Sequence, residues 1–344
     1  MSGGVDSSVA AALVHERGDE AVGVTMKLLA RAETGFGCCG SPADVDDAKR
    51  VAEKLGIKHY VSDMAEVFAD KVIRPYLDAY LGGTTPNPCV ECNRSLKFGH
   101  LLALAEAWGC EAVATGHYAR VKDGKLMRSL DPKKDQSYFL YSLEEKALRK
   151  ADFPVGSLSK DEVRAKAREL GLRTADKPES METCFVPNRD VKGFVAAHAE
   201  ANAPGIAPGP IRDVNGKELG RHTGLASYTV GQRAGLAGIK EAAYVVRLEP
   251  EENALIVGGA PAIMSGAIQV GRINFNGERN GRAFRASVRI RHRHEPAPAE
   301  IVWTPNGANV NFDSPQRAPA PGQAAVFYDN DFVLGGGTIL RGEP

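Results

Sequence analysis

Seven residues near the start of the chain, Ser2-Gly3-Gly4-Val5-Asp6-Ser7-Ser8, run directly into an apolar-periodic segment at Val9, Ala10, Leu13 and Val14. Two adjacent glycines let a backbone approach an anion closely. The helix behind them offers unsatisfied N–H groups and the positive end of its dipole. Ser7 and Ser8 add hydroxyl donors, and Asp6 is placed to cap the helix or to hold a magnesium ion. The Lys-Ser/Thr ending of a Walker loop is absent, so the pattern predicts a pyrophosphate cradle rather than a γ-phosphate transfer site. A glycine turn with a Ser/Asp helix cap is the plainer reading of any three of these residues, and all seven in order disfavour it.

Thiols form the second group. In Thr85-Pro86-Asn87-Pro88-Cys89-Val90-Glu91-Cys92-Asn93 two prolines stiffen a loop carrying Cys89 and Cys92. Cys92 is expected beside a helix N-terminus, where the thiol pKa falls, as suits a nucleophile or a sulfur acceptor. Cys184 lies far away in sequence, within Glu179-Ser180-Met181-Glu182-Thr183-Cys184-Phe185. A Cys-x-x-Cys pair can also be half of a zinc site, but no second pair and no His pair follows at finger spacing. A thioredoxin-type pair follows a strand in a different setting. Cys110 alone reads as a small buried hydrophobe.

The elements that must position these groups alternate in type. Helical spacing covers 43–56, 65–81, 95–108 and 159–170, the last with a capping box from Ser159 to Glu162. Short strands are expected at 57–61 and 111–115, and 84–93 as a loop. Such alternation argues for a parallel sheet covered by helices. From about Asp190 Gly and Pro become frequent, and 203–210 reads as a linker. Asn215-Gly216 marks a hairpin, 244–248 and 254–257 a second one. Strands at 283–290, 300–303, 309–312 and 324–328 point to a small antiparallel barrel.

The chain has 344 residues, 43% hydrophobic and 25% charged, with zero formal net charge. That suits a protein of two or three domains with a real core, and any nucleic-acid surface must be local. Six cysteines, Cys38, Cys39, Cys89, Cys92, Cys110 and Cys184, all precede residue 185. With no secretory signal and no bilayer-length apolar run, they read as cytosolic thiols, so a cytoplasmic location is expected.

Ala114-Thr115-Gly116-His117-Tyr118, Lys134-Asp135-Gln136-Ser137-Tyr138-Phe139-Leu140 and Gly224-Leu225…Tyr228-Thr229-Val230-Gly231-Gln232-Arg233…Gly235-Leu236 add to the two groups above. In this order, across nearly the whole chain, the segments resemble the bacterial tRNA-specific 2-thiouridylases, within the PP-loop ATP pyrophosphatases. The resemblance implies an α/β fold: a parallel-sheet PP-loop domain of the adenine nucleotide α-hydrolase type over 1–189, a small, mostly β, tRNA-binding domain over 190–257, and an antiparallel β-barrel over 258–344. The family's loop follows a central first strand. Met1 directly precedes Ser2 here, so that strand is expected to be missing.

The resemblance further implies ATP-dependent 2-thiolation of the tRNA wobble uridine, by a tRNA-uridine 2-sulfurtransferase that adenylates the C2 carbonyl oxygen and takes sulfur from a cysteine persulfide. Cys92 is then the nucleophile and Cys184 the persulfide carrier. A disulfide bond belongs to the same implication. ATP and magnesium are the implied cofactors. Ser2, Gly3, Gly4, Val5, Asp6, Ser7, Ser8, Met26 and Gly116 would meet the nucleotide. Asn87, Pro88 and Cys89 would meet the target base, and His117, Lys134, Asp135, Gln136, Arg291, His292 and Gln323 the rest of the tRNA. Partners are tRNA and a persulfide-carrying sulfur-relay donor, with no membrane. Some members have Asp where Cys89 stands, which leaves the proton-handling role open. Cys89, Cys92 and Cys184 are also candidates for three corners of an iron–sulfur cluster.

Arg285, Arg289, Arg291 and Arg293 alternate with Ala286, Val288, Ile290 and His292, so a strand over 285–293 would present them on one face to a phosphate backbone. An ordinary solvated face fits the alternation equally well. Two rival functions are an amide-forming synthetase with the same loop, and a tRNA-binding protein impaired in catalysis by the missing strand.

Overall fold

The computed structural model describes residues 1–29, 40–178, 183–200, 203–235, 242–277 and 281–342. Cys38, Cys39, Glu179 to Glu182 and Leu236 lie outside them. The chain forms two compact units. One comprises Met1–Ile73, Cys89–Arg189 and Asp331–Val333; the other comprises Arg74–Pro88, Asp190–Asn330 and Leu334–Pro344.

In the first unit, α1 (Val5–Glu16) is followed by β1 (Val22–Lys27), α2 (Pro42–Leu55) and β2 (Lys58–Asp63). β1 and β2 pair in parallel, from Val22 opposite Lys58 to Lys27 opposite Asp63. α2 has the punctuation its sequence carries: the Ser41 hydroxyl accepts the Asp44 N–H, Pro42 stands in the first turn and Gly56 ends the helix at φ +71°. The strand expected over 111–115 is reduced to β3 (Val113–Ala114), and β4 (Ala119–Lys122) and β5 (Lys125–Arg128) form a hairpin. β6 (Ala151–Asp152) pairs with β3 in parallel. Among the described residues of the first unit the parallel strands therefore form two separate pairs. The Met1 amino group donates to the Val24 carbonyl of β1. The capping box at Ser159 and Glu162 opens α3 (Lys160–Glu169). Val163 and Ala167 of α3 share a core with Val5, Val9 and Ala10 of α1, Val51 of α2, and Tyr118.

The region read as a loop over 84–93 is helical from Pro88. Pro88–Glu91 is α-helix, Cys92–His100 is π-helix and Leu101–Ala107 is α-helix again. A proline lacks only an N–H that the first turn does not need, so it can start the helix. Cys92 thus lies a turn into the helix instead of beside its start. The expected helix over 65–81 also holds a π stretch, Ala69–Ile73.

In the second unit, β7 (Gly209–Asp213) and β8 (Glu218–His222) join at Gly216 (φ +85°). The linker expected over 203–210 instead holds a short 3-10 turn, Pro204–Ile206, and the start of β7. β9 (Arg233–Ala234), β10 (Ala243–Glu249) and β11 (Ala254–Gly258) complete a five-stranded sheet in the order β8-β7-β11-β10-β9, closed over Ile211, Leu225, Val245, Leu255 and Val257. The barrel follows: β12 (Met264–Phe275), β13 (Ala283–Arg289), β14 (Ala297–Thr304), β15 (Gly307–Arg317), β16 (Ala324–Asp329) and β17 (Phe332–Ile339). Their order is β12-β15-β14-β13-β16-β17, and β12 also pairs with β17, which closes the ring. Its interior includes Ile268, Val270, Val288, Ile301, Val310 and Phe327, the inward positions of alternating strands.

Candidate active site

The phosphate loop is held by its own hydroxyls. The Ser7 hydroxyl accepts the Ser2 N–H at 3.0 Å and donates to the Gly4 carbonyl at 3.1 Å, while the buried Ser8 hydroxyl donates to the same carbonyl at 2.8 Å. Ser8 is therefore turned inward and not toward a ligand. Gly4 is the N-cap of α1 and no side chain caps that helix, so its first N–H groups stay available to an anion. Asp6 does not cap it either. Lys160 donates to both Asp6 oxygens, at 2.7 and 2.9 Å, and the Tyr118 hydroxyl donates to one of them at 2.7 Å.

Glycines make the loop's packing possible. Gly3 has φ +69°, and a Cβ there would overlap the backbone of Asp44. A Cβ on Gly116 would lie 2.6 Å from both the Asp6 carbonyl carbon and the Ser7 nitrogen. Gly116 thus packs its backbone directly on the loop. On the Gly3 side Lys177 donates to the Gly3 carbonyl at 3.0 Å, to Asp44 at 2.8 Å and to Asp47 at 2.7 Å. Burial works against the Lys177 charge, but the bonds to Asp44 and Asp47 outweigh it and raise its pKa above the ordinary value. Met26 lies buried near the end of β1.

The thiols Cys89, Cys92 and Cys184 all belong to the first unit. Cys89 reaches solvent, yet the protein packed around it desolvates a thiolate. That burial, with the adjacent Cys184, pushes the Cys89 thiol up to about 11, against the pull of Lys97. Cys184 is thus an electrostatic neighbour of Cys89, one turn before Cys92. No disulfide joins these described cysteines. Asn93, 2% exposed, donates to the Phe139 carbonyl at 3.1 Å and ties the cysteine helix to the 3-10 turn Ser137–Phe139. Cys110 is half-buried.

His117 lies 3.3 Å from the Lys97 ammonium through Nε2 and 2.8 Å from the Thr115 hydroxyl through Nδ1. Burial, then the Lys97 charge, holds its pKa well below the ordinary value. A neutral ring that accepts from Lys97 must carry its proton on Nδ1 and donate to Thr115.

The three-residue segment expected to touch tRNA is divided in its placement. Lys134 is half-buried. Asp135 is 3% exposed and accepts from the Ser129 and Ser137 N–H groups and the Ser137 hydroxyl. Its carboxylate shapes the loop from inside. The Gln136 side chain accepts the Tyr118 N–H at 3.0 Å and its backbone N–H donates to the Tyr118 carbonyl at 2.8 Å, fixing the residue that holds Asp6.

In the second unit the arginine strand departs from expectation. β13 ends at Arg289, so Arg291, His292 and Arg293 lie in the following turn, where period two no longer applies. Arg285 is paired with Asp313 at 2.8 and 2.5 Å. Arg289 is 8% exposed and donates to the His294 carbonyl at 2.9 Å. No single basic face results. Arg291 and His292 are half-buried.

Gln323 grips the loop leading to Asn87 and Pro88, donating to the carbonyls of Thr85 at 3.1 Å and Pro86 at 3.3 Å. The Thr85 N–H donates to Pro321, and Gly322 abuts the Thr85 backbone too closely to carry a Cβ. Replacing Gln323 by Ala should raise hydrogen exchange at the Thr85 amide about tenfold, the loss of roughly 1–1.5 kcal/mol of hydrogen bonding. Gln323→Lys, which keeps a donor, should restore part of the protection. Unchanged exchange in the Ala variant would remove the clamp.

Lys160, Lys177, Lys97 and the Tyr118 hydroxyl carry no mark in the sequence. Lys160 is 154 residues from Asp6, and only the cap at Ser159 announces the helix that presents it. Among the described residues no helix is long and apolar enough to cross a membrane.

Three consecutive family descriptions match the chain: the tRNA methyl transferase HUP domain over residues 1–188, the tRNA methyl transferase PRC-barrel domain over 193–259 and the aminomethyltransferase beta-barrel domain over 265–339. Among curated relatives, the tRNA-specific 2-thiouridylase MnmA of Carboxydothermus hydrogenoformans is 46% identical over 355 residues, spanning 99% of this chain and 96% of its own. That of Methylorubrum populi is 45% identical over 358 residues, with 99% and 92% covered. That of Solibacter usitatus is 43% identical over 361 residues, with 98% and 97% covered. The solved U34-tRNA thiolase NcsA from Methanococcus maripaludis, with its [4Fe-4S] cluster, overlaps 58% of this chain and 62% of its own at 19% identity and TM-score 0.35, too slight a likeness to carry an inference.

Proposed function

The chain belongs to the tRNA-specific 2-thiouridylase family, and from that premise we infer that it is a tRNA-uridine 2-sulfurtransferase, replacing the C2 oxygen of the wobble uridine by sulfur at the expense of ATP. The observation that carries the reading to particular residues is the approach of Cys184 to Cys89, 95 residues earlier, in the same compact unit as the uncapped phosphate loop.

The loop N–H groups and Gly116 cradle ATP, with Met26 beside the base. Oxide is a poor leaving group and AMP a good one, so transfer of the adenylyl group to the C2 oxygen, with release of pyrophosphate, makes C2 open to attack. The terminal sulfur of a Cys184 persulfide then bonds to C2 and AMP departs. A Cys92 thiolate displaces the remaining sulfur bond at Cys184, releasing the thiocarbonyl and leaving a Cys92–Cys184 disulfide. An external thiol must reduce that disulfide, and a donor protein must renew the persulfide. With its pKa near 11, Cys89 is a neutral thiol at physiological pH, and the nucleophilic role falls to Cys92 by family likeness. Asn87, Pro88 and Cys89 meet the flipped uridine, and by family likeness His117, Lys134, Gln136, Arg291, His292 and Gln323 serve the rest of the tRNA. Boundaries at 189/190 and 257/258 separate the three domains, and the enzyme works in the cytoplasm.

Magnesium would enter with the nucleotide, and Asp6, within the loop, is the candidate carboxylate for it. No three His, Cys, Asp or Glu side chains among the described residues are grouped as a metal site requires.

The test is mass spectrometry of nucleosides from tRNA incubated with the protein, ATP, magnesium and a persulfide source. Thiouridine should appear only with ATP, and pyrophosphate only with tRNA. Pyrophosphate release without tRNA, or no thiouridine, would count against the reading.

A further inference from the structure

In the second unit, Thr229-Val230-Gly231-Gln232 folds into a tight turn. The Gln232 side chain accepts the Thr229 N–H at 3.1 Å, and the Gln232 N–H donates to the Thr229 carbonyl at 3.0 Å. Gly231 takes φ +85°, and a Cβ there would overlap that of Ala318. Val245 of β10 accepts the Gly231 N–H at 2.8 Å and donates to the Gln232 carbonyl at 2.9 Å. So held, the turn presents the Thr229 hydroxyl to Thr85, 144 residues away, whose own hydroxyl donates to it at 3.2 Å. The N–H, carbonyl and hydroxyl of Thr85 are thus engaged by Pro321, Gln323 and Thr229 respectively. Beyond Thr85 the chain has little freedom. Pro86 and Pro88 fix their own φ, and each disfavours helical backbone at the residue before it, Thr85 or Asn87. The stretch is a stiff arm that pivots at Thr85. Asn87 stands about 7 Å along such an arm, so a turn of about 10° at Thr85 displaces it by roughly 1 Å. A displacement of that size can cost about a hundredfold in rate where reacting groups must be held in line.

We propose that Thr229 is a positioning residue of the thiolation reaction: its hydroxyl sets the orientation of Thr85, and the proline arm carries that setting to Asn87 and Pro88 at the target uridine. The proposal rests on the thiolation reading and on Asn87 and Pro88 as base contacts. Thr229 acts through Thr85 and touches no reacting atom. The bonds from Pro321 and Gln323 hold the main chain of Thr85 at its N–H and carbonyl. They leave its roll about the chain axis soft. Threonine has a stiff χ1, so fixing the hydroxyl fixes the Cα–Cβ direction and stops that roll. Thr85 to Pro88, Thr229 and Gln323 all belong to the second unit, so the whole device lies within one compact body.

The test is single-turnover thiolation by the full chain, preloaded with persulfide, at saturating ATP and tRNA, with tRNA affinity measured alongside. Thr229→Val keeps the side chain's shape and removes the hydroxyl. It should lower the rate constant about tenfold and leave tRNA affinity and persulfide loading within about twofold. Thr229→Ser keeps the hydroxyl and should recover most of the loss. Thr85→Val should lose as much as Thr229→Val, and the double variant no more than either, because a single hydrogen bond is at stake. Pro86→Gly should reproduce the loss with both hydroxyls in place, because it frees the arm. A threonine that served the fold alone would lower the amount of active protein and not the rate constant of what remains. A parent-like rate constant for Thr229→Val, a Thr229→Ser no faster than Thr229→Val, or losses that add in the double variant would each overturn the proposal. Should Thr229→Val fail to fold, Thr85→Val decides alone: a parent-like rate constant there overturns it. No thiouridine from the parent would defeat the thiolation reading itself, and the proposal with it.

Discussion

Cys92→Ser and Cys184→Ser are each expected to lower thiouridine formation by at least about 10³-fold, the scale of losing a covalent catalytic group. Serine cannot carry a terminal sulfur, so Cys184→Ser should show no protein-bound persulfide after incubation with a sulfur source. In Cys92→Ser the persulfide should load normally and the product should stall on Cys184, visible as a tRNA–protein adduct on a non-reducing gel. Affinity for tRNA should change less than twofold in both, because neither substitution alters charge or size appreciably. Cys89→Ser separates the roles: a thiol whose pKa lies near 11 is not the attacking sulfur, so this variant should keep measurable turnover. Parent-like thiolation by either of the first two variants would break the relay.

Gly116→Ala should cost at least about tenfold in ATP affinity. The added methyl would lie 2.6 Å from the Asp6 carbonyl carbon and the Ser7 nitrogen, and both are backbone atoms. No side chain can rotate aside, so the Thr115–His117 turn or the phosphate loop must move, with an overpacking cost of roughly 1–3 kcal/mol. The loop's N–H groups bind by direction as much as by distance, so a shift of a few tenths of an ångström is felt by the ligand. Gly266→Ala is the control, because a methyl added there would meet nothing within 4 Å and it should be silent. Equal ATP affinity for Gly116→Ala and the parent would show that the turn does not wall the cradle.

Local chemistry explains what could be read from the chain. The loop at 2–8, the capping box of Ser159 and Glu162, the Asn215-Gly216 turn and the alternation of the barrel strands each depend on neighbours a few residues apart, and each formed as expected. The rest depends on partners that spacing cannot reveal. Lys160 reads as a surface lysine until α3 carries it to Asp6. Asp135 reads as solvated charge until the N–H groups of Ser129 and Ser137 enclose it. The arginine alternation fails because β13 stops at Arg289. The π register of Cys92–His100 has no local signature, although such turns recur at functional positions. Family likeness alone marks Gln323, and nothing in its neighbours announces its hydrogen bonds to Thr85 and Pro86.

Ring closure of β12 onto β17 has a consequence for how the protein fails. A closed barrel offers no row of idle backbone groups to another molecule. The pairs β1–β2 and β3–β6, among the described residues, each end after two strands, and Tyr60, Val61 and Trp108 stand about half exposed in the same unit. Aggregation on heating or during overexpression should therefore be seeded from residues 1–189, and solubilising charges placed on β2 should suppress it where the same charges on the barrel exterior do not.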